Sequence, residues 1–225
     1  MHIHLPKPIH GWRAFAGEVA IIVLGVLIAL GAEQAVESYR WSQEVGEARR
    51  AADSELAHDL GVFRHRLGQR ACVENRLADL DLWLQGWRDR RPPMLKAVIA
   101  SPPAYGLHFN VWDATTGEAR SHMELETKLA YAGLYDVLKN FSTQRTAERD
   151  SWAALSDYDG ANDLDHQDLI RIRGLITRIR SFNRNLPGFV PYLDKPAATL
   201  HIRPDLGPQP QQSVRDGIAF CRHLL

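Results

Sequence analysis

Charge of either sign in excess is missing from this chain: 27 Lys and Arg face 27 Asp and Glu, for a formal net charge of zero. Without a global field there is no electrostatic footprint for nucleic acid. Cysteine is nearly absent, with Cys72 and Cys221 the only two. Proline does not occur between Gly11 and Arg91. The chain also lacks a phosphate-binding glycine loop, a G-x-S-x-G elbow, an H-E-x-x-H helix and paired C-x-x-C motifs. No stretch alternates with a period of two for long enough to demand a sheet, and no internal repeat stands out. These absences remove the familiar signatures of hydrolases, nucleotide-binding enzymes and zinc proteins. The sequence therefore reads as non-enzymatic, with no catalytic residue, cofactor or metal assigned.

What is present is an apolar run, Val19 to Leu30 (VAIIVLGVLIAL), inside a segment bounded by Arg13 and Glu33, with Glu18 its one ionisable group. As a helix that segment of about 19 residues extends about 28 Å, the thickness of a bilayer's hydrocarbon core. Residues 14–32 are expected to form one membrane-spanning helix. Lys7 and Arg13 precede it, with His2, His4 and His10, whereas Glu33 and Glu37 follow it and Arg40 is the first cation beyond. Cations are retained on the cytoplasmic side. The expected topology is a signal-anchor of the bacterial inner membrane, with residues 1–13 cytoplasmic and the remainder periplasmic. A cleaved signal peptide competes, since Ala29-Leu30-Gly31 offers small residues to a peptidase. Helix-favouring sequence running on through AEQAVESYRWSQEV argues for retention.

Topology gives the cysteines a meaning. In a reducing compartment they are ordinary thiols, but in an oxidising periplasm a lone pair is most simply one disulfide, Cys72–Cys221. It would close a loop of about 150 residues and contribute on the order of 4–5 kcal/mol at most.

Beyond the span, Val36, Tyr39, Val45, Ala48, Ala52, Leu56, Leu60, Phe63 and Leu67 recur at steps of three and four, so the spanning helix should continue as a stalk to about Leu67. Gly68 is the expected break. A second helix is expected over 71–90, with Val73, Leu77, Leu80, Leu84 and Trp87 inward, ended by Pro92-Pro93. An irregular insert follows to about His122, with Ser101-Pro102-Pro103 a loop and Asn110 capping a short helix. A third helix is expected over 124–155 and a fourth from about Asp163 to Leu186-Pro187-Gly188. The fold class is all-α, a transmembrane helix leading into an antiparallel bundle of about four long helices. Residues 33–186 form the helical periplasmic domain, and the Pro-rich residues 187–225 an extended tail packed on it.

Glu55-Leu-Ala-His58 and Asp163-Leu-Asp-His166 share the acid-x-x-His spacing of di-iron bundles. However, Leu56 rather than Glu55 or His58 lies on the apolar stripe, and Asp163 falls at a helix start, so solvated helix faces explain both. His58 and His65 share a face one heptad apart and are expected at the surface or a stalk interface. Trp83, Trp87, Trp112, Tyr131, Tyr135 and Trp152 either fill the core or line a pocket for an apolar ligand. Arg171, Arg173, Arg178, Arg180 and Arg184 border the apolar face of the fourth helix with their heads in water. Within the span, Glu18, Gly25, Ala29 and Ala32 lie along one side. Small residues there allow close helix approach, and a carboxyl at membrane depth prefers a protein partner to lipid.

From Glu18 to Leu30 the chain resembles a family of uncharacterised small bacterial proteins with one N-terminal transmembrane helix, whose openings follow E-hydrophobic-x-hydrophobic-V-x-G-V-L-I-A-L. The resemblance covers chiefly the first 45 residues, through Trp41, and implies a membrane-anchored protein with a helical extracytoplasmic region. It supplies no catalytic residues. The expected partners are the lipid bilayer and a protein or second copy meeting the transmembrane helix and stalk, with no nucleic acid. The leading functional expectation is an accessory or scaffold protein, and the alternative is a periplasmic small-molecule-binding or sensing bundle.

Overall fold

The computed structural model describes residues 11–115 and 117–225, and its described elements are all helical. Lys7, His2, His4 and His10, on which part of the expected topology rests, lie outside the described residues. The chain divides into two compact units, one ending at Glu47 and one spanning Ala48–Leu225.

Helix α1 (Trp12–Gly68) begins in the first unit, and its N-terminal part contains one stretch long and apolar enough to cross a membrane. None of that stretch is buried. At the end of this unit Trp41 donates from Nε1 to the Glu37 carboxylate one turn back at 3.4 Å, with the Arg40 guanidinium beside the indole.

In the second unit, the last turns of α1 are followed by α2 (Arg70–Arg88), α3 (Asn110–Ala114), α4 (Gly117–Ser121), α5 (Leu125–Ser156) and α6 (His166–Asn185). A 3₁₀ turn (Leu186–Phe189), α7 (Val190–Thr199) and α8 (Gln211–Phe220) complete it. The tail expected to be extended thus carries two helices. Pro187 and Pro191 sit in first turns, where a missing N–H costs nothing, so they start these helices rather than break them.

The break at Gly68 does not reverse the chain. Gln69 keeps φ −79° and ψ −2°, and Val73 N–H donates to the Gln69 carbonyl at 3.0 Å, so α2 carries on from α1. Side-chain pairs fix the directions. Asp53 meets Tyr131, Glu55 meets Tyr135 and Arg66 meets Glu148, so α1 and α5 run the same way. Arg70 meets Asn183 and Asp81 meets Arg180, so α2 and α6 run in opposite directions. In place of an up-and-down bundle, two parallel rods (α1–α2 and α5) pack with one antiparallel rod (α6–α7). Parallel neighbours need a long return connection, and residues 89–124 provide it. That segment runs back along α2 and α1, touching Arg76 through Val98, Gln69 through Pro103, His58 through Gly106 and Glu55 through Asn110.

Two hydrophobic clusters result. One joins Leu56, Leu60 and Phe63 of α1 to Tyr131, Leu134, Leu138 and Phe141 of α5 and to Leu193 of α7. The other joins Val73, Leu77, Leu80 and Trp83 of α2 to Trp152 and Leu155 of α5, Ile172 and Ile176 of α6, and Phe220 and Leu224. Burying the apolar face of α5 along its length, in the first cluster over Ala130–Phe141 and in the second at Trp152 and Leu155, is the main source of stability for a helix of this length.

Gly61 lets the tail lie against α1. A Cβ there would stand 2.7 Å from the Leu206 nitrogen and 2.9 Å from the Asp205 carbonyl carbon. One turn earlier, Asp205 N–H donates to the Ala57 carbonyl at 2.8 Å. The structure joins Cys72 to Cys221 in a disulfide, with Cα atoms 4.7 Å apart.

Candidate functional site

Polar side chains concentrate where the return segment crosses α1 and α5, in a shelf on the first cluster and a cavity between the two clusters.

On the shelf, Glu55 projects from α1 to the start of α3. Its carboxylate accepts the Asn110 and Val111 N–H groups at 3.1 and 3.2 Å and the Tyr135 hydroxyl at 2.8 Å. The first N–H groups of a helix have no internal partner, so Glu55 caps α3 from a distance. Asn110, expected as the cap, is instead the first helical residue, and Phe109 in the cap position makes no side-chain cap bond. Trp112 follows on α3 and stacks on both Tyr131 and Tyr135, with ring centres 5.7 Å apart in each case. Burial and the carboxylates of Asp53 and Glu55 hold the two phenols well above their ordinary range, so both are protonated donors.

Asp59, one turn on, is completely buried and accepts the His108 backbone N–H at 3.0 Å. Burial pushes its carboxyl up to about 7, against the pull of the His108 N–H; the nearby Glu55 charge adds to the rise and Arg145 opposes it. His58 donates from Nε2 to the Gly106 carbonyl at 3.2 Å, and its ring centre lies 5.1 Å from that of His108. His58, Asp59 and His108 offer one ligand atom each within 4.8 Å of one another. A tetrahedral site with bonds of about 2.1 Å holds its ligand atoms roughly 3.4 Å apart, so this group would have to close up around an ion. Glu55 is not among its members, and neither are Asp163 and His166.

The two acid-x-x-His motifs therefore stand apart: Glu55 caps α3, whereas Asp163 and His166 are exposed, as a solvated helix face would have them. Glu55 is half-buried as a cap rather than solvated. At α6 the cap is Asp165, whose carboxylate accepts the Asp168 N–H at 2.8 Å while that of Asp168 accepts the Asp165 N–H at 3.2 Å. His58 and His65 are half-buried against the return segment, His58 through the Gly106 carbonyl and His65 edge-on to Tyr105 with ring centres 4.9 Å apart.

The six aromatics do not converge on one pocket. Trp112, Tyr131 and Tyr135 belong to the first cluster and Trp83, Trp87 and Trp152 to the second. Trp83 and Trp87 meet edge to face and border a separate hollow with Pro92 and Pro93. Trp152 packs edge to face on Phe220. Of the α6 arginines, Arg171, Arg173, Arg178 and Arg184 are exposed, whereas Arg180 reaches α2 and donates to Asp81 at 2.6 Å and Glu74 at 3.3 Å. Glu18, Gly25, Ala29 and Ala32 are all exposed on α1.

Between the clusters, Arg66 makes a bidentate pair with Glu148 at 2.5 and 3.0 Å and also donates to the Asn183 side-chain oxygen at 3.2 Å. Both partners of the ion pair are almost fully buried. Above this pair lies a cavity of about 170 Å³ lined by Arg66, Tyr105, Arg145, Glu148, Arg149 and Trp152, with Ser101 and Thr146 among the residues completing its wall. Arg145 donates from Nη1 to the Tyr105 carbonyl at 2.9 Å, which fixes the return segment over the cavity.

Neither Asp59 nor the Arg66–Glu148 pair was singled out by sequence. The signal was nonetheless present: positions 59 and 66 fall on the stripe set by Leu56, Leu60 and Phe63, where an ionisable group has to be buried. Comparison with protein families, curated proteins and solved structures gives no match to the chain.

Proposed function

We propose that this is a single-pass protein of the bacterial inner membrane whose helical domain, residues 48–225, lies in the periplasm and works as an accessory or scaffold through protein contacts. The observation that carries the reading is the exposed apolar surface of α1. Ile21, Ile22, Leu24, Leu27, Ile28 and Leu30 each expose more than half of their surface. Leaving so much apolar area in water is unfavourable by about 25 cal/mol per Å², and a bilayer removes that cost. The flanking charges favour a cytoplasmic N-terminus, and a disulfide fits an oxidising compartment. The family resemblance of the opening segment points the same way.

Protein contact is supported by the side of the span that carries Glu18, Gly25, Ala29 and Ala32. A Cβ at Gly25 meets no atom within 4 Å, so that face is open to a neighbouring helix. The anchored domain would then hold a partner, or a second copy, at the membrane.

Affinity purification of the full chain in mild detergent tests this reading. A stable partner or a homo-oligomer, weakened by Gly25→Leu, is expected. A chain that washes off membranes at alkaline pH, or that runs as a clean monomer at cellular concentration, overturns it.

A further inference from the structure

Three guanidinium groups (Arg66, Arg145 and Arg149) and one carboxylate (Glu148) line the cavity between the two clusters. Glu148 is already engaged, since both of its oxygens accept from Arg66. The lining thus carries two more formal positive charges than negative ones, with the buried Asp59 a further carboxyl near Arg145. Two of the residues that line it also carry a buried donor, Nη1 of Arg66 and Nε1 of Trp152, with no hydrogen-bond partner among the described residues. Buried donors in native proteins are almost always satisfied, so two unpartnered N–H groups on residues beside one cationic cavity point to an acceptor nearby. The arginines are crowded as well: burial, and then repulsion from Arg149, lower the affinity of Arg145 for its proton.

We propose that this cavity binds a small oxyanion, carried as a phosphate or sulfate or as the carboxylate of a small acid. Size sets the limit, since a cavity on the order of 150 Å³ takes a benzene-sized molecule, and this one is about 170 Å³. Guanidinium forks suit planar or tetrahedral oxygen pairs, because parallel N–H groups engage two oxygens at once. Arg145 and Arg149 supply the cationic donors on the α5 side of the cavity. Arg149 and Thr146, both exposed, stand at the opening toward solvent. Tyr105, held by Arg145, forms the wall contributed by the return segment. An occupant would tie α1, α5 and that segment together at the seam of the core. The site is independent of the membrane and partner reading.

The experiment is isothermal titration and thermal melting of the full chain in detergent, with inorganic phosphate, sulfate and succinate as probes. Sodium chloride at matched ionic strength serves as the reference. At least one probe is expected to bind once per chain, raise the melting temperature saturably and shift Trp fluorescence. Arg149→Gln and Arg145→Gln should each weaken that binding by about tenfold or more, the loss of one charge-assisted hydrogen bond. Arg171→Gln, an exposed arginine away from the cavity, should bind as the parent does. Binding of phosphate or sulfate but not succinate assigns a tetrahedral anion, and the reverse assigns a carboxylate. If no probe exceeds chloride, or if Arg149→Gln and Arg145→Gln bind as tightly as the parent, the proposal is wrong.

Discussion

Arg76 holds Phe220 in two ways: its Nε donates to the Phe220 carbonyl at 2.6 Å, and its guanidinium carbon lies 4.5 Å from the centre of the Phe220 ring. Close by, Asp79 accepts the Leu224 N–H at 2.6 Å, and the Leu224 carbonyl accepts the Lys96 N–H at 2.7 Å. The C-terminal residues are thus docked by polar contacts from α2 and the return segment, beside the covalent link from Cys72.

Removing the disulfide should accordingly loosen the protein without releasing its tail. Cys72→Ser is expected to lower unfolding stability by up to about 4–5 kcal/mol, the chain-entropy value for a loop this long. Limited proteolysis of residues 211–225 should stay slow in that variant and become fast once Arg76→Leu is added. Rapid loss of the tail from Cys72→Ser alone would show that the polar contacts hold nothing by themselves.

Asp59 predicts an unusual pH dependence. Its folded carboxyl titrates near 7, above the ordinary 3.8. Between those values the unfolded chain has released a proton that the folded chain keeps, so this group's contribution to stability falls as pH rises from about 4 to 7. His65 acts in the opposite sense, because burial and the adjacent Arg66 lower its proton affinity. Its protonation on unfolding therefore costs stability as pH falls below 6.5. Asp59→Asn keeps an acceptor for the His108 N–H but cannot ionise. In urea titrations the variant should gain on the parent between pH 5 and pH 8, and a difference that does not change with pH counts against a proton on Asp59.

Glu55 should matter more than the hydroxyl it receives. Tyr135→Phe removes one donor from a carboxylate that retains two N–H partners, and is expected to cost about 1 kcal/mol. Glu55→Ala strips the cap from α3 and leaves the buried Tyr135 hydroxyl unpaired, for a cost of about 2–3 kcal/mol. Hydrogen exchange at Asn110 and Val111 distinguishes the two variants, with fast exchange expected only for Glu55→Ala.

At Gly61 the obstacle is backbone, so no side-chain rotation relieves it. Gly61→Ala is expected to destabilise by about 1–3 kcal/mol, as overpacking does, and to open residues 203–209 to protease. Ala at Gly133, where a Cβ meets nothing within 4 Å, is the matched control and should be neutral or slightly stabilising.

Much of the helical layout was legible because apolar spacing records which face is buried. The stripe through Leu56, Leu60 and Phe63 gave the second part of α1, and Pro92-Pro93 gave the end of α2. Helix direction was not legible, because periodicity is the same whether a neighbour runs parallel or antiparallel. Gly68 read as a turn, yet the conformation of Gln69 carries the rod onward. The tail misled through proline count alone, since Pro187 and Pro191 occupy first turns where proline is welcome. The cavity was hidden for a different reason. Arg66, Arg145, Arg149 and Glu148 are ordinary charged helix residues in sequence, and only the packing of α1 on α5 reveals that they meet.

The buried Arg66–Glu148 pair cuts the core into two apolar blocks that share helix α5. Each block can then open by local fluctuation without exposing the other, so native-state hydrogen exchange should resolve two cooperative units. Amides near Leu138 would report one free energy of opening and those near Leu155 another. Whatever occupies or alters the polar seam would set how far a disturbance in one block is felt in the other.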